Sequence, residues 1–361
     1  MRTVIKTGII IILLLISREK VLASFYGDDD TSISNRYEMA FDRIEYLLRT
    51  NGAFESAVFT VEHSFYNDSL TENSYSNSIA LLSTLAKGLI TPKSQFLYSK
   101  DDSLNFSLNF AIFSLIRDRI YVITDSTFTE HLPFTYDQKD PSGKVDWSTM
   151  FIRKLLTTHK GNCHSLTYLY KMLADKLNAK CWLALAPSHI YIRNYSREIG
   201  WYNSELTSGV FPTDAWIAMT GYVSTDAIRS GVYMDTLSNQ QSIALCLLDL
   251  AKGYAFQSHH YNDSFIVKCC DLALKYHAVN PQALLLKAET LQKIYMRQKE
   301  THSPQAKDTY AEMERTYIAL VKLGYREMPE KKYMEWLQSA VKEKDKYSNK
   351  KLAKTIQGKT S

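Results

Sequence analysis

The chain has 361 residues, 45% of them hydrophobic and 22% charged, a globular composition with room for two or three domains of about 100 to 200 residues each. Those proportions exclude a disordered chain, a collagen and a disulfide-stapled miniprotein. The 43 basic and 38 acidic side chains leave a net charge of +5, but the basic excess gathers between Lys342 and Lys359 rather than along a stripe, so nucleic acid is not an implied partner.

The first residues, MRTVIK and then the apolar run Gly8 to Ile16, pair a basic start with a short hydrophobic stretch, and Val21-Leu22-Ala23 offers a cleavage site before Ser24. This pattern predicts an exported, periplasmic or extracellular protein with residues 1–23 as signal peptide. The alternative is an uncleaved anchor. The run is much shorter than the roughly 20 apolar residues of a membrane helix, and no other segment approaches that length. In an exported protein, an odd set of five cysteines (Cys163, Cys181, Cys246, Cys269 and Cys270) leaves at least one thiol outside any intramolecular pairing.

After the acidic opening at Asp28 to Ser32, apolar residues at Met39, Phe41, Ile44, Leu47 and Leu48 recur at helical spacing, and Phe54 to Phe65 and Ser78 to Leu89 read the same way. Leu108 to Asp125 predicts helix followed by strand, and the breakers in Tyr136 to Lys144 mark a boundary. Residues 24–140 thus form an N-terminal, mainly helical region. Towards the C-terminus, Leu247, Leu250, Ala251 and Tyr254 share a helix face. Helices at Phe265–Tyr276, Ala283–Gln298, Asp308–Leu323 and Pro329–Val341 follow. Their hairpin rhythm over 239–345 resembles tetratricopeptide repeats, with a plain helical bundle as the alternative. Residues 346–361 read as a basic flexible tail.

Between these regions, 141–238 carry the chemistry. Cys163 stands at the start of a helix marked by Leu166, Leu169, Leu173 and Leu177. Gly161 permits a tight, left-handed approach to it, Asn162 can cap free amides, and the helix dipole favours a thiolate there. Three strands then follow: Cys181–Ala186, His189–Asn194 and Trp201–Glu205. If residues 195–200 join the last two as a hairpin, Arg193 faces Trp201, Tyr191 faces Asn203 and His189 faces Glu205. Imidazole and carboxylate then share a face while Ile190 and Ile192 point into the core. Such a carboxylate would orient the ring and stabilise an imidazolium, which would stabilise the Cys163 thiolate. The Cys163 amide is the simplest oxyanion donor, with His159 and Asn162 as candidates for a second.

The segments GNCHSLTYLYKMLADKLNAK, CWLALAPSHIYIR and GWYNSELTSG resemble the cysteine, histidine and acidic boxes of the transglutaminase-like superfamily, whose core is related to papain-like peptidases. The resemblance covers roughly Asp146 to Thr213. It implies Cys163 as nucleophile, His189 as base and Glu205 as the acidic member, with Trp201 and Thr207 flanking the acid. Two departures stand out: the acid is Glu where Asp is usual, and the aromatic Tyr191 follows His189 by two positions rather than one. The resemblance implies thiol-dependent acyl transfer or amide hydrolysis, although the superfamily also includes members that have lost activity.

Trp201 is a candidate substrate-cleft residue, as is Trp216, which with Phe211 and Tyr222 follows closely on Glu205 in the chain. Tyr168, Tyr170, Tyr191 and Tyr202 read as packing residues with hydroxyls near the surface. His259, His260, Cys269, Cys270 and His277 offer ligand types that suit zinc, but adjacent cysteines on a helix point about 100 degrees apart, so packing is the better reading and no metal is implied. No phosphate loop, dinucleotide fingerprint or paired-carboxylate motif suggests a cofactor. The expectation is an α+β protein with a transglutaminase-like core, a helix followed by an antiparallel sheet, flanked by helical regions. It would be a cysteine peptidase, amidase or acyltransferase acting on a peptide or protein, and the C-terminal helices could also hold a protein partner. The alternative is an inactive scaffold that binds a partner protein.

Overall fold

The computed structural model describes residues 3–6, 30–90, 100–123, 128–220, 222–258 and 263–357. The expected cleavage site before Ser24 and the dyad His259-His260 lie outside them. The fold is mixed α+β, with helix predominating. Among the described residues, no helix is long and apolar enough to cross a membrane.

The chain divides into two compact units, each built from separated stretches. Helices α1 (Asp30–Thr50) and α2 (Phe54–Tyr66) belong to the second unit. The chain then enters the first unit through α3 (Glu72–Gly88) and α4 (Ser103–Arg117). Within the expected helix-then-strand stretch Leu108 to Asp125, residues 108–117 end α4 and Ile120–Ile123 form a strand, while residues 124–125 lie outside the described residues; Ser78 to Leu89 lies almost wholly within α3.

Among the described residues, the first unit holds three small sheets. Strand β1 (Thr3–Lys6) runs parallel to β2 (Ile120–Ile123), which pairs antiparallel with β3 (Phe128–His131). Two-residue strands β4 (Thr135–Tyr136) and β5 (Lys160–Gly161) pair in parallel on either side of α5 (Ile152–Thr158). Helix α6 (Cys163–Lys176) is followed by the antiparallel meander β6 (Trp182–Ala186), β7 (His189–Ser196) and β8 (Gly200–Ser204). The leucine spacing that predicts α6 becomes its buried seam: Leu166, Leu169 and Leu173 are fully buried, and α6 packs on β7 and α4. Burial of such side chains is worth about 1.5–3 kcal/mol each. After the short α7 (Asp214–Thr220) the chain leaves this unit.

The second unit continues with α8 (Thr225–Arg229), α9 (Asn239–Gln257), α10 (Asp263–Tyr276), α11 (Pro281–Glu300) and α12 (Ala306–Lys322). Asn280 caps α11 by accepting from the amides of Gln282 and Ala283, and Pro281 sits in the first turn, where its missing N–H costs nothing. Consecutive helices from α9 to α12 pack on one another, as the hairpin rhythm predicts, but α9 also packs on α1 and α2. The helical unit therefore takes its first layer from the N-terminus.

The chain then returns to the first unit with α13 (Glu330–Lys342), α14 (Lys344–Tyr347) and α15 (Lys350–Gln357). The boundaries at 140, 238 and 345 thus differ from those of the compact units, because residues far apart in sequence complete each core. The expected flexible tail is also corrected: residues 350–357 are helical, and Leu352 is buried against Phe106 and Tyr202.

Candidate active site

Cys163 occupies the first position of α6. Asn162, at the N-cap, accepts from the amides of His164 and Ser165, while Ser165 Oγ accepts from the Asn162 amide at 3.1 Å, a reciprocal capping box. The left-handed conformation that Gly161 permits is not used there; it falls two residues earlier, on His159, with φ of 55°. Gly161 is required for close approach instead: a Cβ there would lie 2.2 Å from Ser165 Oγ.

His189 opens β7 after the two-residue turn Pro187-Ser188, in which Ser188 takes a φ of 56°. The register of the next hairpin differs from the expected one. Arg193 pairs with Asn203 and Tyr195 with Trp201, a slip of two residues caused by a loop of only Arg197, Glu198 and Ile199, with Gly200 at φ of 83°. A slip of two preserves side-chain parity. Glu205, just beyond β8, therefore keeps to the His189 face, one step diagonally removed, and the extra methylene of Glu over Asp spans the offset. Its Oε2 lies 2.5 Å from His189 Nε2. Oε1 accepts from the Thr207 amide at 2.9 Å and from the Thr207 hydroxyl.

The other ring nitrogen, Nδ1, lies 3.1 Å from the Tyr333 hydroxyl, which lies 3.6 Å from Cys163 Sγ. Cys163 and His189 lie within electrostatic reach of each other. In the ion-pair form, the imidazolium donates from Nε2 to Glu205 and from Nδ1 towards Tyr333, whose hydroxyl donates to the thiolate. Trp336 meets the His189 ring edge-on at 5.1 Å and stacks on Trp216 at 4.5 Å, and Trp216 Nε1 donates to Ser339 Oγ. Helix α13 therefore covers the site, leaving Cys163 9% exposed and His189 and Glu205 2% each.

Burial pushes the Cys163 thiol up, but the charge of His189, hydrogen bonds with His189 and Tyr333 and the nearby His164 ring together leave it below its ordinary value. The same residue type elsewhere behaves oppositely. Burial drives Cys181 and Cys270 up to about 12, and holds Cys246 and Cys269 well above the ordinary value. His189 is pulled down by burial but raised further by Glu205 and Cys163, to about 10. Glu205 is pushed up by burial and brought below its ordinary value by His189 and Thr207. All five cysteines are free and buried.

The remaining candidates fall elsewhere. The Asn162 side chain is committed to the helix cap, with its amide nitrogen facing Met150 Sδ and the Pro141 carbonyl, so it is not an oxyanion donor. His159 stacks on Phe134 and its Nδ1 faces the Leu132 carbonyl, outside the triad. Trp201 is 46% exposed against Trp182 and Tyr195, four residues or about 13 Å along the strand from Glu205. Trp216 is fully buried under α13 and lines no open cleft. The four tyrosines are buried outright rather than surface-tipped, the Tyr170 hydroxyl donating to the Asn109 carbonyl at 2.9 Å. Cys269 and Cys270 pack within α10.

Four residues of the site escape sequence reasoning. Tyr333 and Trp336 stand in an ordinary amphipathic helix 144 residues or more from His189, and Tyr136 sits at the edge of a segment read as a break. Arg117, at the end of α4, places its guanidinium in the field of Glu205. Compared with protein-family models, curated proteins and solved structures, the chain matches none.

Proposed function

We propose that this is a thiol-dependent acyl-transfer enzyme of transglutaminase-like type, a peptidase, amidase or acyltransferase that acts on a peptide or protein after export. One observation carries the reading: of five buried thiols, Cys163 alone is drawn down, and it is drawn down by an imidazole that a carboxylate holds at 2.5 Å. In the proposed reaction, the thiolate attacks an amide carbonyl carbon, forming a C–S bond as the π pair moves onto oxygen. The tetrahedral oxyanion collapses, the C–N bond breaks, and the leaving nitrogen takes a proton from His189. Water or an amine then returns a proton to His189 while attacking the thioester, which releases an acid or a new amide and restores the thiolate. Glu205 orients the ring and stabilises its cationic form. The helical unit would recruit the substrate, since stacked helices offer extended grooves.

A second reading, an inactive scaffold that binds a protein partner, is favoured by one feature. The Tyr333 oxygen fills the position where a leaving group or acceptor would exchange its proton with His189. Incubation with p-nitrophenyl acetate separates the two. The enzyme reading predicts a hydroxylamine-labile acetyl adduct on Cys163, absent from Cys163→Ala and formed about 100-fold more slowly in His189→Ala. An unacylated wild-type protein would favour the scaffold.

A further inference from the structure

The acyl-transfer reading leaves one requirement unmet: the tetrahedral oxygen needs two donors, and neither Asn162 nor His159 can supply the second. The first donor follows from the capping box. Asn162 takes the amides of His164 and Ser165, the second and third of α6, and leaves the first, that of Cys163 itself, outside the cap. Side chains in a helix lean towards its N-terminus, so the sulfur and its own N–H face the same space. The N-terminal dipole adds to the positive potential there.

The strand pair beside this space carries the second donor. β4 and β5 pair in parallel with Tyr136 opposite Gly161, two residues ahead of the nucleophile, and the ladder is fixed by Thr135 N–H donating to the His159 carbonyl at 2.8 Å and Asp137 N–H to the Gly161 carbonyl at 2.7 Å. The Tyr136 hydroxyl is buried and makes no hydrogen bond of strict geometry, although it lies close enough to the Tyr333 hydroxyl to interact with it. It stands within electrostatic reach of Cys163, Tyr333 and Glu205. Buried hydroxyls are ordinarily paired, and this one is held by backbone hydrogen bonds beside the one thiol that is drawn down. A donor that makes no well-formed hydrogen bond in the resting protein, with only the Tyr333 hydroxyl to interact with beside Cys163, suits a charge that exists only during the reaction.

We propose that the Tyr136 hydroxyl and the Cys163 backbone amide form the oxyanion hole, both donating to the carbonyl oxygen of the substrate as the C–S bond forms. Tyr136 is then a catalytic residue that binds the transition state more strongly than the ground state. It keeps its proton throughout, and the oxyanion's electron pair returns to re-form C=O when the C–N bond breaks.

The proposal rests on the acyl-transfer reading, and Tyr136→Phe tests it separately. The variant removes an oxygen that makes no well-formed hydrogen bond and interacts only with the Tyr333 hydroxyl, so its melting temperature should be little changed. Two reactions of Cys163 are compared: acetylation by p-nitrophenyl acetate, which passes through an oxyanion, and alkylation by iodoacetamide, which does not. Acetylation should fall about 100-fold while alkylation stays within about threefold of wild type, as a residue without a direct role in thiolate formation requires. Acetylation retained within about threefold would overturn the role of Tyr136 and leave the acyl-transfer reading standing. A parallel fall in both reactions would overturn it too, by making Tyr136 a structural support of the thiol. Failure of the wild-type protein to acetylate would instead remove the acyl-transfer reading, and this proposal with it.

Discussion

Glu205 reaches His189 because its side chain is one methylene longer than aspartate. Continuing the observed register one step beyond β8 sets Glu205 opposite Tyr191 rather than His189, so the shorter carboxylate would fall short of Nε2. Glu205→Asp should therefore weaken the imidazolium and let burial raise the Cys163 thiol. Since each unit of pKa changes the thiolate fraction about tenfold, alkylation of Cys163 near pH 7 should slow about tenfold or more, measured by intact-mass labelling; an unchanged rate would mean that the carboxylate does not set the ring's charge. Cysteine, histidine and glutamate were each legible in the sequence, because residue types suited to a proposed nucleophile, base and acid stand out by type and by position at element ends. Their partners were not. Tyr333, Trp336, Arg117 and Tyr136 are residue types that normally serve packing or the surface, and only the folded chain brings them to the site.

Strand and helix patterns predicted α6 and the meander β6 to β8 closely, since leucine spacing and alternation report directly on burial. Register was harder to read, because it depends on the turn. The chain reverses over Arg197, Glu198 and Ile199, not over the six residues from Tyr195 to Gly200, and the shared face of His189 and Glu205 survived only because the slip was even. At the approach to α6 the glycine is needed for its lack of a Cβ rather than for the left-handed backbone it permits. A methyl group at Gly161 would meet Ser165 Oγ, which also donates to the Thr149 carbonyl at 3.1 Å, and would break the capping box beside Cys163. Gly161→Ala should thus cost about 1–3 kcal/mol in chemical denaturation, with slower Cys163 labelling in the folded protein. A neutral effect on both would show that the cap does not position the thiol.

Across the whole chain, linear reading located the elements but not the units they build. Residues 328–361 return to the first unit, where Tyr333, Trp336, Leu337 and Leu352 are buried. At about 1.5–3 kcal/mol for each such side chain, their loss approaches the entire 5–15 kcal/mol stability of a typical domain. A chain ended at Glu327 should therefore lose the cooperative unfolding of the first unit by calorimetry, while the helices of the second unit, which ends there, keep theirs. A truncated protein with both transitions intact would mean that the C-terminal helices are an appendage and not part of the core.

The charge chain from Glu205 through His189 to Cys163 is tested most directly by the pH dependence of Cys163 alkylation in the wild-type protein and in His189→Ala. A thiol lowered by an imidazolium gains reactivity as pH rises through a value below the ordinary 9.0 of cysteine. The imidazolium itself is lost only as pH rises through about 10. The account predicts a wild-type limb below 9.0 and, once the charge and hydrogen bond of His189 are lost in His189→Ala, a limb displaced to higher pH. Coincident limbs in the two proteins would contradict it.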